Sequence, residues 1–147
     1  MKTPFSVLSI FVGLTAAALT LTGCAAANVS ANPDCDAGAA MQVKGFPAAV
    51  MLPAGAVIDS QSSGSPPEFA SDNYQVVAHS ASDSEAVRSF YRCALPARGF
   101  PIIDEEQGNV WLLRFSGLEV DDGSVMVGDG RAAGEVSIQI FLIEKES

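Results

Sequence analysis

One segment of this 147-residue chain carries a helical period, and the segments around it alternate. Ser82-Asp83-Ser84-Glu85 has the form of a capping box, with Ser82 as N-cap and Glu85 three residues on. Behind it Ala86/Val87, Phe90/Tyr91 and Ala94/Leu95 recur at i, i+4 and i+8, which is one face of a helix. Pro96 weakens the helix, Gly99 closes it and Pro101 prevents continuation. Tyr74 to His79 alternates, with Tyr74, Val76 and Ala78 on one face and His79 on the other. Asn109 to Ser116 places Trp111, Leu113 and Phe115 together, and Val136 to Ile143 does the same for Val136, Ile138, Ile140 and Leu142. Ala56 to Asp59 reads as a short strand, and Ser60 to Ser71 as loop chemistry. Asp121-Asp122-Gly123 reads as a hairpin turn between Leu118–Val120 and Ser124–Val127, and Gly128 to Gly134 as a longer loop. Short connections between strands imply antiparallel pairing. The expectation is an α+β domain: an antiparallel sheet of about five strands in the order β-β-α-β-β-β. One helix covers one face, with Val87, Phe90 and Tyr91 meeting the Val136–Leu142 stripe.

The first 24 residues have a different character. Met1-Lys2 is a minimal positive start, and Phe5 to Leu21 runs without a charge into Leu21-Thr22-Gly23-Cys24. Small residues before a cut site suit a signal peptidase. Leu21-Thr22-Gly23-Cys24 matches all four positions of the lipobox and resembles the type II signal peptide of bacterial lipoproteins. The resemblance implies cleavage between Gly23 and Cys24, a diacylglycerol thioether on Cys24, and acylation of the new amino group. The competing readings are an ordinary signal peptide cut near Ala25–Ala27 and an uncleaved membrane helix. The run is slightly shorter than the ~20 residues a spanning helix needs. The lipoprotein reading divides the chain into a signal peptide at 1–23, a lipidated flexible tether at 24–40 and a single α+β domain at 41–147. The tether assignment rests on the small, polar composition of Ala25 to Gly38.

A second resemblance covers Pro53 to about Phe115. Pro53-Ala54-Gly55-Ala56-Val57, then Asp83-Ser84 with Ala86, Phe90 and Tyr91, then Leu95 with Gly99-Phe100, looks like small exported bacterial α+β domains of unknown role. Phe100 stands where those domains usually carry Trp. This likeness implies a fold and no activity.

Eight Lys and Arg face 17 Asp and Glu, for a formal net charge of −9. An acidic chain without a basic cluster repels a phosphate backbone, so nucleic acid is excluded as a partner. Once Cys24 carries lipid, Cys35 and Cys93 remain as an even pair in an exported protein, which predicts a disulfide. Closing that loop contributes about 4 kcal/mol in the chain-entropy account. Cys93 borders the apolar stripe, so a buried thiol is the alternative.

No catalytic or metal-binding set emerges. His79 is the sole histidine, and no G-x-S-x-G elbow accompanies it. Cys35, His79 and Cys93 lack the paired spacing of zinc sites. Asp104-Glu105-Glu106 and Asp121-Asp122 sit in turn-like sequence and read as solvated loops. Asp121-Asp122-Gly123 lacks the calcium-loop pattern, and Trp111 reads as core. The expected function is a membrane-anchored envelope lipoprotein without enzymatic activity or cofactor, whose domain binds a protein partner or assists assembly. The alternative is an acidic inhibitor or immunity-type lipoprotein against a basic exported enzyme. Ala25 after the lipidated cysteine resembles the outer-membrane pattern, on the periplasmic side, in a host with two membranes. In a single-membrane host the anchor is the outer face of the plasma membrane.

Overall fold

The computed structural model describes residues 40–65 and 71–146. Cys24, Cys35 and the lipobox lie outside the described residues. The order is β1 (Ala40–Gln42), β2 (Met51–Pro53), β3 (Val57–Gly64), β4 (Asn73–Ser80), α1 (Ser84–Ala97), β5 (Ile102–Gln107), β6 (Trp111–Phe115), β7 (Val120–Asp129) and β8 (Val136–Glu144). β1 and β2 pair as a small sheet, and the other six form one antiparallel sheet in the order β3-β4-β8-β7-β6-β5. The α+β class and the single helix agree with the expectation, and the strands outnumber the five expected.

The helix forms where its period lies, but its cap is Asp83 and not Ser82. The Asp83 carboxylate accepts the Ala86 N–H at 2.8 Å. Ser82 instead donates its backbone N–H to the Ser80 hydroxyl. Glu85 therefore does not close a capping box, and it pairs with Arg92 at 2.8 Å. The helix continues through Pro96 to Ala97 and ends at Gly99. Gly99 takes φ +86°, the left-handed conformation that terminates helices, and Phe100 N–H returns to the Leu95 carbonyl at 3.0 Å.

Three regions differ from the expectation. Residues 60–64 are not loop: they extend β3 as an edge strand exposed along its length. Asp104-Glu105-Glu106 lies within β5, the opposite edge. Asp121-Asp122-Gly123 is not a turn but part of β7. The chain reverses earlier, where Gly117 and Val120 exchange backbone hydrogen bonds at 3.1 and 3.3 Å.

One cluster forms the core. Val136, Ile138, Ile140 and Leu142 of β8 join Val125 and Val127 of β7, Trp111, Leu113 and Phe115 of β6, and Val76 and Ala78 of β4. From above, α1 contributes Val87, Tyr91, Ala94 and Leu95 and lies nearest β7 and β5. Phe90 packs at the margin, half-buried, whereas Tyr91 is fully buried and donates its hydroxyl to the Met51 carbonyl at 3.1 Å. That bond ties α1 to the small sheet, whose Met51 and Leu52 are also fully buried. Burial pushes the Tyr91 phenol far above its ordinary value.

Candidate outer-face site

Among the described residues, a helix and a small sheet cover the inner face of the six-stranded sheet, and no element covers the outer face. Cross-strand registers assemble that face from alternate residues. One row runs Ser60, Val77, Gln139, Met126, Leu112 and Glu106 across the sheet. The next runs Ser62, Gln75, Phe141, Ser124, Arg114 and Asp104. Ile143 and Asp122 follow on the side of the strand ends. Val77, Leu112, Met126 and Ile143 are half-buried, and Phe141 is exposed. The face thus has an apolar middle, with acidic residues toward the β5 edge. Arg114 is engaged by Asp122 at 3.2 Å.

His79 stands at one end of this face, as its strand parity requires. Its partner is Asp59, 20 residues upstream, with Oδ1 at 2.9 Å from Nδ1. β3 breaks register between Ile58 and Ser60, and this bulge sits at Asp59. A bulge re-aims a side chain that regular pleating would direct elsewhere. Both side chains remain about one-third exposed. The pair opens into a depression, continuous with solvent, that Ser137 and Gln139 of β8 also line together with the 130–135 loop. Ser137 is the direct cross-strand neighbour of His79. Sequence spacing placed no partner near His79, because cross-strand pairing through a bulge leaves no mark in local spacing.

The remaining candidates have structural roles. Glu105 accepts hydrogen bonds from Arg92 at 2.6 Å and from the Trp111 indole N–H at 2.8 Å. Arg92, and then Trp111, hold its carboxyl down to about 2. The Arg92 guanidinium also lies 5.5 Å from the centre of the Trp111 ring. Trp111 is fully buried, as expected of a core residue. Among the described residues, no three His, Cys, Asp or Glu side chains gather in a metal-holding arrangement. Cys93 is half-buried on α1 and disulfide-bonded. No described helix is long and apolar enough to cross a membrane. Compared with known proteins, the chain matches no family model, no curated protein and no solved structure.

Proposed function

We propose that the chain is a bacterial envelope lipoprotein, held at a membrane by lipid on Cys24, whose α+β domain is a non-catalytic module that docks a protein partner. The outer face carries this reading: Val77, Leu112, Met126, Phe141 and Ile143 lie on adjacent strands with no layer above them among the described residues. An apolar centre with a polar rim has the composition of a protein interface. Asp104 and Glu106 stand at the β5 side of the patch, so the partner is apolar at its centre and basic at that edge. The lipobox match supports the anchor. The Cys93 disulfide supports an oxidising compartment. With Cys24 lipidated, Cys35 is the partner left for Cys93.

Photo-crosslinking in cells tests the docking face. A crosslinker at position 126 or 141 of the full chain is expected to give one discrete adduct, and a crosslinker at exposed Ser89 on α1 none. Leu112→Asp is expected to abolish the adduct. Absence of any outer-face adduct, or equal adducts from Ser89, overturns the reading. The acidic rim also favours the inhibitor alternative. In that case in vitro association slows steeply as salt rises, whereas an apolar assembly contact changes little.

A further inference from the structure

The depression at the His79 end of the outer face sets two carboxylates beside three donors that have no protein partner among the described residues. It is lined by Asp59, His79, Arg131, Glu135, Ser137 and Gln139. One oxygen of each of its two carboxylates is engaged. Asp59 holds His79 Nδ1 at 2.9 Å, and Glu135 Oε2 accepts the Ala132 N–H at 3.2 Å. Its donors are not. The Arg131 guanidinium, the Ser137 hydroxyl and the Gln139 amide make no hydrogen bond or ion pair with the rest of the described protein. Elsewhere Arg92 and Arg114 are bound up in ion pairs.

We propose that this depression binds a phosphate group. Arg131 supplies the charge-assisted contact, and Ser137 and Gln139 donate from alternate positions of one rigid strand. His79 selects phosphate over a carboxylate. With Nδ1 held by Asp59, Nε2 donates when the ring is protonated and accepts when it is neutral. A monobasic phosphate presents both acceptor oxygens and a P–OH, so it bonds the imidazole in either state. An ionised carboxylate only accepts. The site is held in place from below: the Gly130 N–H bonds the Glu135 carbonyl at 2.8 Å, closing the loop that carries Arg131. A side chain at Gly130 would strike Glu135, with Cβ at 2.6 Å from it, so the tight closure requires glycine. Inorganic phosphate and phosphate monoesters share this chemistry. The inference rests on the depression alone and goes beyond the docking of a protein on Phe141 and Met126.

Titration of the full-length chain at constant ionic strength tests it, with nuclear magnetic resonance shifts of the His79 ring and Ser137 amide as the readout. Inorganic phosphate and glycerol phosphate are the probes, and acetate is the control. Saturable phosphate binding is expected, with acetate weaker by about tenfold or more. Arg131→Ala and His79→Ala each weaken phosphate by about tenfold or more, the range for a lost hydrogen bond to a charged group. Lys44→Ala, at an exposed turn position, leaves binding unchanged. Tighter binding of glycerol phosphate assigns the site to a phosphate ester, and tighter binding of inorganic phosphate assigns it to the free ion. Linear unsaturated shifts, acetate binding as tight as phosphate, or an equal loss in Lys44→Ala overturns the inference. Because Arg131 lies on an exposed loop, an unaltered spectrum away from the depression separates lost binding from lost folding. Failure here leaves the protein-docking reading intact, since the crosslinking positions lie outside the depression.

Discussion

Phe115 and Gly123 face each other across β6 and β7 in the buried layer. The ring occupies the space a side chain at 123 would need, and Phe115 Cδ2, Cε2 and Cζ all approach the position of that Cβ. The ring is fully buried and cannot retreat. Gly123→Ala is expected to destabilise the domain by roughly 1–3 kcal/mol, the range for overpacking, while Gly45→Ala strains only an open turn. Chemical denaturation of the two variants checks this, and equal midpoints would refute it. Glu105 presents a different case, because its contribution depends on pH. Its folded carboxyl sits at about 2, below the ~4.3 of an unfolded glutamate. A depressed acid stabilises fully above the unfolded value and loses that contribution as pH falls toward the folded one. Thermal midpoints from pH 5 to pH 2 should therefore fall more steeply in the native chain than in Glu105→Gln. The native advantage should disappear near pH 2, and parallel curves would remove Glu105 from the account.

The helix cap turns on which of two adjacent side chains reaches the first free N–H groups. Asp83→Ala is expected to cost about 1 kcal/mol and Ser82→Ala only a few tenths. The reverse order in urea midpoints would restore Ser82 as the cap. Ser82 and Asp83 are both good caps, and a one-residue shift leaves the apolar stripe in place, so the helix was legible and its first residue was not. β4, β6 and β8 were legible because each buries one face and therefore alternates. Of β3 only residues 57–59 were legible, and 60–64 were not, because an edge strand exposed on both sides has no period to read. β5 buries so little that its acidic residues resemble a loop, yet Glu105 locks it to α1 through Arg92. In β7, Asp-Asp-Gly has turn composition, but the glycine is there for Phe115. The three-residue strands β1 and β2 are too short for any period. Of the candidate site, strand parity alone placed His79 outward. Asp59, Ser137 and Arg131 come to it through a bulge, a cross-strand register and a hairpin loop, none of which is encoded in nearby sequence.

At the scale of the whole molecule, a helix and a small sheet cover one side of a six-stranded sheet, and no other described element covers the far side. A bare face with an apolar middle is a hazard for a freely diffusing protein. Net charge of −9 counters self-association, and on the proposed lipoprotein reading confinement to a membrane surface would bring the face to partners in the same plane. Confinement requires a firm anchor. Each buried methylene contributes about 0.8 kcal/mol, and one acyl chain alone holds only marginally. On the lipoprotein reading, a diacylglycerol on Cys24 and an acyl group on its amino terminus would together supply three chains. The native protein is therefore expected to incorporate labelled fatty acid and to stay with membranes through a high-salt wash. Cys24→Ser should lose the label while keeping the thermal midpoint of the domain. A serine variant that keeps its leader stays at the membrane through that apolar run, so fractionation of the variant does not decide the question. The label on the native protein does, together with the mass of its first peptide. An unlabelled native protein whose first residue is other than Cys24 would end the lipoprotein reading and leave the outer face to be explained in solution.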